Sequence, residues 1–257
     1  MPSVETNNLE IARGEFQLGP ISLSIEIGTC LVLLGENGSG KSTLISLLSR
    51  DIPCDQGEVE IDKRAIQNIP RSEFCQLVSL MPQGESPGLP FSVREIVMMG
   101  RTPYARSQWE SQEDLSATDQ ALELCELTHL KDRPIQQVSG GEKQRALLAR
   151  TLVQESKIML LDEPTASLDI RHHDLVSKVV RSHTETGGTA IVSTHDFDFA
   201  ESVGDQFLIL KQGKPFAQGK KTDIFQPELL SKAFDKLFAW LKNDQGEQFA
   251  RPVSHSK

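Results

Sequence analysis

The sequence predicts an α/β fold: a largely parallel sheet buried on both faces, a small antiparallel sheet near the start, and a helical insertion in the middle. Three observations predict it. Short unbroken apolar runs recur, "CLVLL" (30–34), "IMLL" (158–161), "AIVS" (190–193) and "FLIL" (207–210), and such runs between helical stretches suit strands covered on both sides. The segment "EFQLGPISLSIEIG" alternates instead, with Ile21, Leu23, Ile25 and Ile27 at period two, as a strand with one dry face does. Between about 84 and 150 the texture becomes helical.

Taken in order, the alternating segment gives the antiparallel sheet, and "CLVLL" gives a buried strand that runs into "GENGSGKST" (35–43) and a helix, "KSTLISLL". "GESPGLP" reads as a loop. In "SVREIVMMG", Ser92 and Glu95 have capping-box spacing and Gly100 is placed to stop the helix. "EDLSATDQALELCEL" puts Leu115, Thr118, Ala121, Leu122 and Cys125 on one face of an amphipathic helix. "VSGGEKQR" (138–145) is a glycine turn entering another helix, again with capping-box spacing between Ser139 and Glu142. Near the end, "PELLSKAFDKLFAWL" reads as one helix followed by a polar, fraying tail. The expected organisation is one unit over 1–257. It has an α/β core at about 1–82 and 156–225, a helical part at about 83–155, and a C-terminal helix and tail at 226–257.

Composition narrows the function. With 38% apolar and 25% charged residues, the 257-residue chain has the balance of a soluble globular protein. Its net charge of −9 argues against a general nucleic-acid binder, which carries a basic face. The four cysteines form no CxxC pair, so they are expected to be reduced and packed rather than bridged or metal-bound. The start, "MPSVETNNLE", lacks the order of a signal peptide, and no apolar run approaches the length of a membrane span. A cytosolic chain is expected, with any membrane role exercised through a partner.

The chemistry begins at the first glycine loop. Gly35 to Ser42 fits GxxxxGK[ST] and lies between a buried strand and a helix, as a phosphate-binding loop must. Backbone N–H groups converge there on phosphate oxygens; Lys41 can reach the β and γ phosphates, and the Ser42 hydroxyl can ligate Mg²⁺. Gly35, Glu36, Asn37, Gly38, Ser39, Gly40, Lys41, Ser42 and Thr43 are therefore the candidate nucleotide-binding residues. In "IMLLDEP" a strand ends in Asp162, suited to holding Mg²⁺ through its water shell, and Glu163, suited to polarising a water. Two carboxylates at a strand end can also be a solvated turn; the phosphate loop favours the functional reading.

In order, the phosphate loop, "MPQ" (81–83), "VSGGEKQR", "LLDEP", "SLD" (167–169) and "STHD" (193–196) resemble the ATP-binding cassette (ABC) ATPases. The resemblance runs from Phe16 to about Asp205 and implies the fold of that family, a RecA-like P-loop NTPase core with the small β-subdomain and inserted helical subdomain. It also implies a head-to-tail homodimer. There Ser139, Gly140, Gly141 and Glu142 of one copy cap the γ-phosphate held by the other, and a plain helix cap at Ser139 is compatible with that role. By the same resemblance His195 is the switch histidine, Gln83 touches Mg²⁺ or the attacking water, and Asp169 lies at the dimer seam. The catalytic set is then Glu163, His195 and Gln83, and the metal set Ser42, Gln83 and Asp162. Phe16 is the candidate for stacking on adenine; a core position in the small sheet is the equal alternative. Val138 and Glu142 stand where Leu and Gln are commoner in the family, and Glu36 is an unusual choice within the loop.

"FSVREIVMMGRTPY" (91–104) resembles the segment that follows the Q-loop in importers of iron–siderophores, heme and vitamin B12, where the cassette meets the permease. The expected function is the ATPase subunit of such an importer, for a siderophore first and heme or vitamin B12 as alternatives. Its cofactors would be ATP and Mg²⁺. Its partners would be a second copy, transmembrane permease subunits and an upstream substrate-binding protein, with no nucleic acid, at the cytoplasmic side of the inner membrane. A soluble ABC ATPase, as in iron–sulfur assembly, is the competing class. A non-catalytic nucleotide-binding module is disfavoured because Lys41, Ser42, Gln83, Asp162, Glu163 and His195 are all present.

Overall fold

The computed structural model describes residues 2–84, 90–105, 111–243, 246 and 248–253. In chain order its strands are β1 (Pro2–Arg13), β2 (Phe16–Glu26), β3 (Cys30–Leu34), β4 (Gln56–Ile61), β5 (Arg64–Ala65), β6 (Val78–Met81), β7 (Ile158–Asp162), β8 (Thr189–Thr194), β9 (Gln206–Lys211), β10 (Lys214–Gly219), β11 (Phe238–Lys242) and β12 (Gln248–Pro252). The helices are α1 (Lys41–Leu48), α2 (Arg71–Leu77), α3 (Val93–Met98), α4 (Gln112–Leu124), α5 (Gly140–Leu152), α6 (Ile170–Glu185), α7 (Phe197–Val203), α8 (Lys221–Ile224) and α9 (Pro227–Phe234). Among the described residues, no helix is long and apolar enough to cross a membrane.

The main sheet has the order β10-β9-β3-β8-β7-β6, parallel from β9 to β6, with β10 antiparallel at one edge. All five residues of β3 are buried. Cys30, Val32 and Leu34 pack into one apolar cluster with the helices, and Leu31 and Leu33 into another with α1 and the antiparallel strands. That two-sided burial is why the run is unbroken in sequence.

The antiparallel sheet, β2-β1-β4-β5, confirms the alternating segment: Leu18, Ile21, Leu23 and Ile25 are buried. Ile27 departs from the expected pattern. It lies beyond the end of β2 and is 52% exposed. The partner strand β1 was not legible, because its register on β2 shifts between Thr6 and Leu9 and again between Leu9 and Ile11. Such bulges break the period-two pattern that identifies a strand.

The "KSTLISLL" helix and the amphipathic α4 form as expected, with Thr118, Ala121, Leu122 and Cys125 buried. The Ser92 capping box is present at α3. Gly100, however, does not stop the chain's helical course, which tightens into a 3-10 stretch, Met99–Tyr104. Its role is close approach: a Cβ there would lie 2.2 Å from the Arg150 carbonyl oxygen, so α5 packs directly against this backbone. Of the "GESPGLP" loop, residues 85–89 lie outside the described residues.

The neighbouring Arg101 is 5% exposed and completes this contact. It donates to Asp114 Oδ1 (2.7 Å), to Glu155 Oε2 (2.7 Å) and to the Val153 carbonyl (3.0 Å), capping the end of α5. Arg101→Ala should therefore destabilise the protein by about 2–4 kcal/mol, because Asp114 is left half-buried without its cation. Urea denaturation of the two proteins checks this; an unchanged midpoint would show that the contact is dispensable.

The C-terminal expectation is corrected. The single helix over "PELLSKAFDKLFAWL" ends at Phe234; Asp235 adopts a left-handed conformation (φ 47°) and the chain continues as β11, paired antiparallel with β12. The tail region at 248–252 is thus a strand, and 254–257 lie outside the described residues. The physical cause is aromatic packing: the Phe238 ring meets Phe197 edge-on at 5.3 Å and lies 5.9 Å from Phe234. The Phe234 contact has i, i+4 spacing that a helix also allows, so the distant partner is Phe197.

Candidate functional site

The candidate groups collect at the carboxyl ends of parallel strands, where open α/β sheets bind ligands. The glycine loop follows β3, Gln83 follows β6, Asp162 and Glu163 close β7, and His195 follows β8. A cleft of about 500 Å³ is lined by Phe16, Asn37, Gly38, Gly40, Lys41, Ser42, Thr43, Gln83 and Glu163. A larger groove, about 1010 Å³, lies at the other ends of these strands beside α6 and contains none of the candidate groups.

The loop is shaped as an anion cradle. Gly40 (φ 107°) must lack a side chain, since a Cβ would lie 2.5 Å from Leu18 Cδ1 and 3.1 Å from Phe16 Cζ. That leaves the loop N–H groups and the start of α1 facing the cleft, the arrangement that binds phosphate. Around Gly38 (φ 80°) there is open space. Ser39 is buried and does not line the cleft, and among the described residues its Oγ has no hydrogen-bond partner. Ser42 and Glu36 are exposed and Thr43 is half-buried.

Lys41 is buried and donates to the carbonyls of Gly35 (2.8 Å) and Glu36 (3.2 Å), with Glu163 Oε1 3.7 Å away. Burial pushes its pKa below the ordinary lysine range, while Glu163 and Asp162 work against that. A phosphate bound in the loop would add to the anionic charge that this ammonium already shares with Glu163.

Glu163 is 4% exposed and has φ 50°, a left-handed conformation that costs a non-glycine residue about 1–2 kcal/mol. Strain of this kind persists where surrounding contacts impose it. Here Ser193 imposes it. The Ser193 hydroxyl accepts the Glu163 N–H (2.9 Å) and donates to Asp162 Oδ1, so one side chain holds the Glu163 backbone and orients the Asp162 carboxylate. On the outer side His195 Nδ1 lies 2.8 Å from Glu163 Oε2. When Glu163 is ionised, that nitrogen carries the proton, since a carboxylate only accepts. Gln144 of α5 ties the same turn from behind, donating to the carbonyls of Glu163 (3.3 Å) and Pro164 (3.2 Å).

Ser193 and Gln144 were not singled out in the sequence, although both lie inside quoted motifs. Neither shows a signal of its own there, because the partners are 30 and 19 residues distant.

Not every candidate reaches the cleft. Asp162 is buried at the end of β7 and does not line it, a placement suited to acting through water rather than by direct contact. Phe16 is half-buried: it packs with the core under the antiparallel sheet and borders the cleft against Gly40. Ser139, Gly140, Gly141 and Glu142 lie outside the cleft, as does Asp169. Ser139 is the N-cap of α5 in a complete capping box, its N–H (2.7 Å) and hydroxyl (2.8 Å) bonded to Glu142 Oε2. These bonds hold the Glu142 carboxyl below the usual range. Intrahelical bonding leaves the next N–H groups open, and Ser139 and Gly140 are exposed. Asp169 caps α6, accepting from the His172 N–H and pairing with His172 Nδ1 at 2.7 Å.

Comparison with known proteins fits this geometry. A family model described as ABC transporter matches residues 18–166. The hemin import ATP-binding protein HmuV of Rhodococcus jostii (strain RHA1) is 38% identical over 217 residues, 84% of this chain and 74% of that protein. The petrobactin import ATP-binding protein FpuC of Bacillus anthracis is 33% identical over 236 residues, 90% of this chain and 86% of that protein. Among solved structures, one described as a metal-chelate type ABC transporter in an inward-facing conformation superposes with a TM-score of 0.86. The two share 26% identity, over 100% of this chain and 99% of that one.

Proposed function

The chain belongs to the ABC transporter family, and from that premise we propose that it is the ATP-hydrolysing subunit of an importer for an iron chelate. The observation that carries the cargo class is its likeness over most of its length to the hemin and petrobactin import ATP-binding proteins. Those two cargoes keep both expectations, siderophore and heme, within one class of substrate.

In this reading the loop from Gly35 to Thr43 cradles the ATP phosphates, and Phe16 stacks beside the adenine. Glu163 takes a proton from the water that attacks the γ-phosphorus, and ADP leaves with the bridging oxygen. His195, on the rim of the same site, holds Glu163 and orients the water. Lys41 neutralises charge that develops on the γ-phosphate oxygens.

Ser42, Gln83 and Asp162 would hold Mg²⁺. A hydroxyl, an amide and a carboxylate form the hard oxygen set that this cation takes, with Asp162 reaching it through water. When bound, Mg²⁺ neutralises charge shared between the β and γ phosphates.

The Ser139–Glu142 turn of the same chain does not line the cleft. A second copy, turned head to tail, would bring its α5 N-terminus there, with Asp169 at the seam. The helix dipole and open N–H groups would then meet the γ-phosphate. Membrane passage belongs to permease subunits, consistent with the absence of a membrane-spanning helix among the described residues. A substrate-binding protein upstream and a location on the cytoplasmic face complete the proposed assembly.

Growth tests this. A strain lacking the gene, in a host without a redundant system, should fail on a siderophore or on heme as sole iron source and recover with free iron salts. The wild-type gene should restore growth and Lys41→Ala should not. Normal use of every chelate, vitamin B12 included, would remove the importer reading in favour of a soluble assembly ATPase.

A further inference from the structure

The C-terminal hairpin reaches the catalytic histidine segment. His195 follows the last residue of β8, and Asp196 caps α7, accepting the N–H groups of Asp198 (2.9 Å) and Phe199 (3.1 Å). The helix that begins there is seven residues long. So short a helix draws its orientation from tertiary contacts rather than from its own hydrogen bonds.

Phe199, Ala200 and Val203 seat α7 in the core and Ser202 bonds Ser177 and Arg181 of α6; three further contacts hold the helix start. His173 of α6 lies 3.2 Å from Asp196 Oδ2 on one side. On the other, the Phe197 ring is enclosed by Phe234 and Phe238 at 5.2 and 5.3 Å. Arg251 of β12 then grips the helix by two carboxylates. Its Nε lies 3.1 Å from Asp198 Oδ1, and a terminal nitrogen contacts the same oxygen, while its other terminal nitrogen donates to Glu201 Oε1 at 2.5 Å. Glu201 is 8% exposed at its side chain and also meets Lys221 Nζ at 2.9 Å, so the grip is anchored on a largely buried carboxylate. By contrast, the His195 side chain is 66% exposed, and its bond to Glu163 is the hydrogen bond the structure gives it. Where the imidazole lies therefore depends on where α7 lies.

We propose that Arg251 is a positioning residue for hydrolysis: by fixing the first turns of α7 against the C-terminal hairpin, it holds His195 on Glu163. A planar guanidinium can bond two carboxylates on successive turns at once, which a lysine cannot. The hairpin is then part of the catalytic frame although Arg251 touches none of the reacting atoms. The proposal rests on the assignment of ATP hydrolysis to Glu163 and His195.

The test uses the full chain and a double-mutant cycle. Arg251→Ala should lower kcat for ATP hydrolysis roughly tenfold, the scale of a slightly misplaced catalytic group, with KM for ATP nearly unchanged. Arg251→Lys should restore part of that loss. In a His195→Ala background, Arg251→Ala should cost less than about twofold more, because the group it positions is gone. A merely structural arginine would lower kcat by the same factor in both backgrounds, and that outcome overturns the proposal; so does a rise in KM at constant kcat. Should Arg251→Ala lose its folded circular-dichroism signal, Asp198→Ala removes both Arg251 contacts at an exposed carboxylate, leaves the Glu201 contact, and must show the same coupling to His195 at smaller amplitude. Wild-type hydrolysis insensitive to His195→Ala would overturn the assignment of the site itself, and with it this proposal.

Discussion

Glu163→Gln is expected to lower steady-state ATP hydrolysis by roughly a hundredfold or more, the scale of losing a general base, while nucleotide still binds. The substitution preserves shape in a site that tolerates little change: Glu163 is 4% exposed and its backbone is held left-handed by the Ser193 contact. An amide at Oε2 can still meet His195 but cannot take a proton from water. The groups that would cradle phosphate lie on another element, the loop before α1, so affinity should survive. Phosphate release measured beside equilibrium binding of a fluorescent nucleotide separates the two effects. Near-normal turnover would mean that another group activates the water.

The second large effect is expected at the other glycine turn. Ser139→Arg should leave nucleotide affinity of the monomer nearly unchanged and abolish the ATP-dependent dimer that Glu163→Gln is expected to accumulate. Ser139 is exposed and outside its own chain's cleft, so a long cation there obstructs a partner rather than the resident nucleotide. The lost cap alone costs about 1 kcal/mol, and Ser139→Ala controls for it. Size-exclusion chromatography in the Glu163→Gln background, with and without ATP, reports the dimer. A large loss of monomer affinity would place the turn on its own chain's nucleotide and end the reading in trans.

Two readings divided cleanly between local and distant causes at the C-terminus. "PELLSKAFDKLFAWL" has helical spacing throughout, and its first half is a helix. Its second half leaves the helix, and Phe238 packs against the ring of Phe197, 41 residues away in sequence and itself against Phe234. The start of the chain failed in the opposite direction. β1 buries Val4, Leu9 and Ile11 but spaces them across two register shifts, so its strand character is invisible to period-two reading.

What the sequence by itself determined are the features whose causes span a few residues. Those are the unbroken core strands, the phosphate loop with Lys41 and Ser42, the strand-end pair Asp162 and Glu163, and the capping boxes at Ser92 and Ser139. Each rests on side-chain periodicity, a glycine-permitted turn or an i to i+3 hydrogen bond, and these act locally. Only the tertiary structure decided how the site is held. From the next strand Ser193 aims the Asp162 carboxylate and holds the Glu163 backbone, Gln144 ties the Glu163 turn to α5, and Arg101 seals the end of α5. Arg251 reaches Asp198 from 53 residues away. These groups meet because adjacent parallel strands and packed helices bring distant segments together, and no local pattern encodes a hydrogen bond between residues that far apart.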